Sequence, residues 1–236
     1  MRLFIPNLKG GLGNQLFQIT QCMRLAKRHG GAFAIDPSRP FNAGQGDHPK
    51  EYLRTFYRTL RLTSSRGLPI WNEGDPEVFA DECSYVVDGY FQKLIEEDLR
   101  DKVLDTFRWY DVVSRRKVIG VHVRGGDYRK LREVYPEITA DQYGDSLSKV
   151  MDVLGGNRFQ CEVHTDDQEY ADQLFPGKSM IGDFLKLGEC EAMVLSNSTW
   201  AWWAAYLGEV PLIVYPQKWI NQEHQFNLLS GLVSVR

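Results

Sequence analysis

The chain is short of the features that fix a function by themselves. Its four cysteines (Cys22, Cys83, Cys161 and Cys190) are widely spaced and include no C-x-x-C pair, so neither a disulfide framework nor a zinc site is suggested. Buried free thiols are the expected state. Its five histidines show no metal-ligand spacing. No apolar run approaches the ~20 residues that cross a bilayer, and Met1–Pro6 is too short and too soon interrupted for a signal peptide. With 28 basic residues against 31 acidic ones, the net charge is -3. That offers no basic field for a nucleic acid. A cytoplasmic protein with an ordinary core is left, long enough at 236 residues for one large domain or two small ones.

What is there centres on Val118-Ile119-Gly120-Val121-His122-Val123-Arg124-Gly125-Gly126-Asp127-Tyr128. The apolar, β-branched run from Val118 to Val123 predicts a strand buried on both faces. The glycines then permit a sharp turn and close approach of a ligand to the backbone. Arg124 is thereby placed at the carboxyl end of a parallel strand, where open α/β sheets bind ligands. Its planar fork of donors suits a phosphate. A surface arginine paired with Asp127 fits the same spacing.

Before this stretch, Leu3–Ile5 predicts a first strand. Lys9-Gly10-Gly11-Leu12-Gly13-Asn14-Gln15 forms a glycine-rich turn, and a helix with Leu16, Ile19, Met23 and Ala26 on one face runs to Gly30. Strand, turn and helix would aim backbone N–H groups at an anion. The turn is neither a P-loop nor a dinucleotide fingerprint, and a plain tight turn explains the glycines equally well. Phe33–Ile35 predicts a second strand, Asp36–Pro49 a long loop, Lys50–Leu62 a helix, Ser64–Asp81 irregular chain, Tyr85–Phe91 a strand and turn, and Leu94–Phe107 an amphipathic helix. A joint at 111–116 divides the chain into domains 1–112 and 113–236.

The second half alternates strand and helix more cleanly, which predicts a parallel sheet with helices on both faces. Thr139-Ala140-Asp141-Gln142 is a capping box. Its helix, the strand Phe159–Thr165, a short helix after Asp167, the helix Phe184–Glu191, the strand Met193–Leu195, the helix Trp200–Leu207 and the strand Val210–Tyr215 complete the pattern. Three strand ends then carry polar groups on one rim: Arg124 with Asp127, Asp166 with Asp167, and Ser196 to Thr199. Serine and threonine at a helix start can hold phosphate oxygens, and either aspartate can accept from a guanine edge. Ordinary capping explains each singly; their convergence favours a site.

Lys9–Gln18, Gly89-Tyr90-Phe91-Gln92, His122–Tyr128, Thr165-Asp166-Asp167, Ser196–Trp203, and Pro216 with Trp219 together resemble the alpha-1,2-fucosyltransferase family, in that family's order and across nearly the whole chain. The resemblance implies an α/β fold of GT-B type, two Rossmann-like halves with the active site in the cleft between them. It also implies inverting transfer of L-fucose from GDP-fucose to a sugar hydroxyl of a glycan acceptor, without a metal or other cofactor. Carried over by position, His122 lies along the nucleotide, Arg124 holds the diphosphate and Asp127 steadies that loop. Asp166 or Asp167 reads the guanine, while Ser198 and Thr199 bind phosphate oxygens. Gly11, Gly13, Asn14 and Gln15 close over the phosphates and fucose, with Asn14 nearest the acceptor.

Two departures matter. The family carries two consecutive arginines, and here the second is Gly125. This implies reduced activity, a different sugar nucleotide, or compensation by a residue such as Arg129. The chain is also shorter than typical members, which points to trimmed acceptor-side loops. No residue stands out as a general base. Of Trp200, Trp202 and Trp203, at most one is expected in the site. The sequon Asn197-Ser198-Thr199 is expected to stay unmodified, and Tyr52–Arg61 to form a solvated helix face. Transfer of another GDP-deoxysugar, or binding of GDP-sugar or glycan without turnover, remain the competing readings.

Overall fold

A computed structural model describes residues 1–38, 49–108, 110–112, 114–156, 158–167, 169, 181–216, 218–220 and 234–235. The chain divides into two compact units, Met1–Tyr110 and Asp111–Arg236. Among the described residues, no helix is long and apolar enough to cross a membrane. Most of the loop expected over Asp36–Pro49, and of the short helix expected after Asp167, lies outside the described residues.

The first unit is built on a parallel sheet of β1 (Leu3–Pro6), β2 (Ala32–Phe33), β3 (Ile70–Asn72) and β4 (Tyr85–Asp88), in the order β2-β1-β4-β3. Phe4, Ile5, Val86 and Val87 are fully buried, as central strands require. β3 was not legible as a strand: it lies at the sheet edge and buries only Trp71. Trp71 earns its place by stacking on Phe91, centroids 5.9 Å apart, within a cluster that includes Phe4 and Val87.

Helix α1 (Leu12–His29) starts earlier than its apolar face suggests, so Gly13, Asn14 and Gln15 occupy its first turn. It is buried on more than one face, because Gln15, Gln18, Thr20 and Gln21 are enclosed along with Leu16, Ile19 and Met23. It ends at Gly30, whose φ of 66° is the left-handed region that glycine enters without penalty. The helix expected over Lys50–Leu62 shortens to α2 (Pro49–Arg54), and that expected over Leu94–Phe107 becomes a 3₁₀ turn (Glu97–Leu99) leading into α3 (Arg100–Phe107).

The second unit has the sheet order β6-β5-β7-β8-β9, from β5 (Arg116–Val123), β6 (Gln160–Thr165), β7 (Cys190–Val194), β8 (Leu212–Val214) and β9 (Ser234–Val235). All pairs are parallel except β8 with β9. β5 is buried from Val118 to Val123. Helix α4 (Ala140–Leu154) packs against β7 and β8 and opens on the predicted capping box, with Thr139 and Gln142 bonded reciprocally.

Helices α5 (Ile181–Gly188) and α6 (Thr199–Leu207) pack on each other. Gly120 lets α5 lie close on β5, and Gly208 lets the end of α6 meet the end of α5. A Cβ on Gly120 would meet Leu187 Cδ2 at 2.8 Å and Cys190 Sγ at 2.9 Å, and one on Gly208 would run into the Gly188 backbone. Arg115 spans the same corner, donating to the carbonyls of Gly188, Gly208 and Glu209. A cation there satisfies carbonyls that α5 and α6 leave without intrahelical partners. Both units are therefore α/β with parallel Rossmann-like sheets.

Candidate active site

In the second unit, the carboxyl ends of β5, β6 and β7 bring together the polar groups read from the sequence. Arg124 leaves β5 with its guanidinium donating to Asp166 and, at 2.6 Å, to Asp127. It also lies over the Tyr128 ring, 4.7 Å from the centroid. The ion pair with Asp127 that ordinary surface chemistry suggests is thus present, but in a side chain only 14% exposed. Asp166 Oδ1 accepts from the Gly125 N–H at 2.9 Å, and Asp167 Oδ2 from the Gly126 N–H at 3.1 Å. The two aspartates ending β6 therefore clamp the turn that follows β5. Burial raises the Asp166 pKa, against the pull of Arg124.

Gly125 and Gly126 are what let the clamp close. A Cβ on Gly125 would fall inside contact distance of Asp167 Cβ and 2.8 Å from its Oδ2. Gly126 has φ of 38°, and a Cβ there would lie 2.7 Å from Asp166 Oδ2. A 3₁₀ turn, Gly126–Lys130, then brings Arg129 Nη1 to 3.5 Å from Asp167 Oδ2. Arg124, Arg129 and Arg132 line one small open hollow, with the stacked rings of Tyr128 and Tyr135. Arg132 is a lining residue that the sequence reading did not single out. Its only signal there is a third arginine within nine residues of Arg124.

His122 is buried on β5, its Nδ1 2.7 Å from Ser196 Oγ and its carbonyl accepting from Tyr143 Oη at 3.2 Å. Burial, then the charges of Arg124 and His164, push its pKa well below 6.5. It is a neutral imidazole, a hydrogen-bonding group without charge. Ser198 caps α6, its hydroxyl accepting from the Ala201 N–H at 3.4 Å, and Thr199 opens that helix half-buried. Asn197 is buried and donates to the carbonyls of Trp219 and Pro136. Trp202 and Trp203 are core, whereas Trp200 is half-buried with its ring 5.6 Å from His122.

The remaining expected residues belong to the first unit. Gly10, with φ of 75°, makes the turn, and Gly11 is the N-cap of α1. Gly13 is buried in the helix's first turn. Gln15, fully buried, donates from Nε2 to the Gly10 carbonyl at 2.8 Å and accepts from Tyr57 Oη at 2.7 Å. Asn14 Oδ1 accepts from Gln92 Nε2 at 2.7 Å. The segment Tyr52–Arg61 is thus no solvated face: Tyr52, Phe56 and Tyr57 are buried, and Tyr57 braces the glycine turn through Gln15.

Beside these stands a polar group that sequence reasoning missed. Lys9 Nζ donates to Asp88 Oδ1 at 2.7 Å, and Asn7 Nδ2 donates to the same oxygen at 3.3 Å. Gln18 accepts from the Lys9 N–H and donates to its carbonyl, both at 3.0 Å. The available signal was positional, since Asn7 and Asp88 both follow or end parallel neighbours β1 and β4.

The sequence model of Glycosyl transferase family 11 matches residues 82–226, more than half of the chain. The O-antigen biosynthesis glycosyltransferase WbnK of Escherichia coli is 25% identical over 202 residues, 76% of this chain and 64% of its own length. Galactoside alpha-(1,2)-fucosyltransferase 1 of Rattus norvegicus is 32% identical over 112 residues, 40% of this chain and 29% of its own. The chain thus spans less than two thirds of the length of either curated relative. A solved structure of NodZ alpha-1,6-fucosyltransferase soaked with GDP-fucose aligns over 95% of this chain and 98% of that one, at 15% identity and a TM-score of 0.46. Fucosyltransferase NodZ from Bradyrhizobium gives the same identity and score over 91% and 96%. These likenesses are too loose to carry the assignment, which rests on the family match. By that match the chain belongs to glycosyl transferase family 11.

Proposed function

We propose that this chain transfers L-fucose from GDP-fucose to a sugar hydroxyl, forming an α-1,2 linkage to galactose, with inversion and without a metal ion. The observation that carries the reading is the strand-end rim of Arg124, the Asp166–Asp167 turn and the α6 N-terminus, in a chain of this family. The name of one curated relative, a galactoside alpha-(1,2)-fucosyltransferase, supports the choice of sugar and linkage, and that of the other, an O-antigen biosynthesis glycosyltransferase, supports sugar transfer. In this reading the two units form a GT-B pair facing a shared site. The buried Cys22 and Cys190, both free thiols, suit a reducing compartment, and we assign the reaction to the cytoplasm.

Cleaving the glycosidic bond leaves one more negative charge on GDP. Fixed donors aimed where that charge develops stabilise the transition state without reorganising. Arg124 supplies a preorganised guanidinium, held in its rotamer by two carboxylates and an aromatic face. Ser198 and Thr199 add the hydroxyls and backbone N–H groups of the α6 start. His122, neutral and hydrogen-bonded to Ser196, offers the nucleotide a polar contact that does not compete for charge. A carboxylate has about four lone-pair sites, so Asp166 or Asp167 can accept from guanine in addition to its loop bonds. Gly11, Gly13, Asn14 and Gln15 form the glycine turn proposed to cover the phosphates and fucose, Asn14 nearest the acceptor.

The test is a panel of sugar nucleotides against simple galactosides, with the product linkage read by NMR. Fucosylated product from GDP-fucose, unaffected by a chelator, is expected. Turnover of a different GDP-deoxysugar alone would replace the donor, and GDP binding without turnover would make the chain a silent binding module. Loss of activity on chelation, restored by a divalent cation, would overturn the metal-free step.

A further inference from the structure

We propose that Tyr135 is a positioning residue for Arg124, acting through the ring of Tyr128. The inference rests on the donor reading above and extends it to a residue which that reading does not use.

The first ground is the stack. The rings of Tyr128 and Tyr135 lie nearly parallel, 8° between planes, with centroids 3.8 Å apart. Arg124 lies over the Tyr128 ring, its Cζ 4.7 Å from the centroid. Asp166 and Asp127 each accept from one terminal nitrogen of the guanidinium, and the ring supports it from a third direction. That support is as firm as the ring itself, which cannot tilt without breaking its stack on Tyr135. Fixed donors stabilise developing charge because they need not reorganise. A loosened Arg124 therefore costs most where the diphosphate carries its extra charge, in the transition state and in free GDP or pyrophosphate. It costs less in intact GDP-fucose.

The second ground is the path of the chain. After the Gly126–Lys130 turn, the Leu131 N–H donates to the Tyr128 carbonyl at 3.0 Å, and the Tyr135 N–H to the Leu131 carbonyl at 2.9 Å. Successive turns thus fold Tyr135 back onto Tyr128. The next residue, Pro136, accepts from Asn197 Nδ2 at 3.4 Å, and Asn197 is buried beside Ser198, the N-cap of α6. The stack therefore stands between two anchored ends. One is the turn clamped by Asp166 and Asp167; the other is the start of α6. Arg124, Tyr128, Tyr135, Pro136 and Asn197 line one hollow, so the segment that braces the arginine is also part of the rim.

The experiment combines transfer kinetics with isothermal titration of the whole chain by inorganic pyrophosphate and guanosine. Tyr135→Leu lowers kcat about 3- to 30-fold, the scale of a cation–π support, and changes the KM for GDP-fucose less. It weakens pyrophosphate by a similar factor and leaves guanosine unchanged. Tyr135→Phe, which keeps the stacking face, recovers most of the loss. Tyr135→Met, which keeps apolar bulk without a ring, answers the same question should Tyr135→Leu lose thermal stability. In an Arg124→Ala background, Tyr135→Leu adds no further loss of kcat/KM, because its effect passes through the arginine. Additive losses would place Tyr135 on the ligand or on the fold alone, and overturn the proposal. A lowered thermal midpoint with unchanged kcat and pyrophosphate affinity overturns it too, and leaves the donor reading standing. Pyrophosphate binding that depends on Tyr135 only while Arg124 is present, without turnover of GDP-fucose, sustains the proposal and sinks the donor reading. A wild type that neither binds pyrophosphate nor consumes GDP-fucose overturns both.

Discussion

His122 Nδ1 and Ser196 Oγ lie 2.7 Å apart, joining the carboxyl end of β5 to the segment that follows β7. Both residues are buried, so the bond is made where water cannot replace it. Ser196→Ala leaves the imidazole nitrogen without this partner and costs about 1–3 kcal/mol, measured as a shift in the urea midpoint. Because the folded pKa of His122 is depressed, the unfolded chain takes up a proton near pH 6.5 that the native imidazole refuses. Native stability therefore falls as pH drops below that value, and replacing His122 by Gln flattens the slope between about pH 7 and pH 5.

Removing Arg124 affects folding as well as chemistry. Arg124→Ala leaves Asp166, only 13% exposed, without its cation. Stability falls by about 3 kcal/mol, and kcat/KM for transfer falls at least about 100-fold. Adding Asp166→Asn removes the stranded charge, so the double variant regains thermal stability and none of the activity. Full activity in Arg124→Ala would remove this residue from the site.

Restoring an arginine at position 125 is a test of the turn. Gly125→Arg forces a Cβ against Asp167, and the overpacking costs about 1–3 kcal/mol. Differential scanning fluorimetry reads the effect directly. An unchanged or raised midpoint would show that the Asp166–Asp167 clamp gives way freely.

Glu77 offers a pH test in the first unit. Burial pushes its pKa up, but Arg24, His29 at 3.1 Å and Arg28 at 3.3 Å outweigh that and lower it from 4.5 to about 2. Its contribution is complete above 4.5 and is lost as pH falls toward 2. Glu77→Gln should therefore cost about 1–3 kcal/mol at neutral pH, with the gap to wild type closing on acidification in denaturant titrations followed by circular dichroism.

Thiol labelling follows burial. Cys161 is exposed on the edge strand β6, while Cys22 and Cys190 are fully buried. Burial pushes the Cys190 thiol up to about 12 and raises that of Cys22. Iodoacetamide should modify Cys161 in the native protein and reach Cys22 and Cys190 only on unfolding, as mass spectrometry of the peptides would show.

The buried strands, the capping box and the long first helix were legible because each is written in local pattern. Val118–Val123 is a continuous β-branched run, and Thr139 with Gln142 closes its own bonds. β3 was not legible, since an edge strand that buries Trp71 alone has no alternation to read. Four buried thiols were expected, yet Cys161 is exposed: residue type predicts average burial, and an edge strand lies outside that average. Of the site, the strand-end members could be listed from sequence because turns and helix starts mark them. Their pairing could not. Nothing local in Asp166-Asp167 says that both carboxylates are turned onto the loop after β5, or that Tyr57 reaches Gln15 across 42 residues.

The corner where Gly208 rests on Gly188 under Arg115 has a further consequence. α6 has nine residues and is roughly 13 Å long. One tip is immobilised by bare backbone contact, and the other presents Ser198 and Thr199. A bulkier residue at Gly208 would tilt the rod and displace its far tip without touching any group at the rim. Variation that retunes the ligand is thus confined to the Ser198 end, while the glycine corner acts as a fixed pivot.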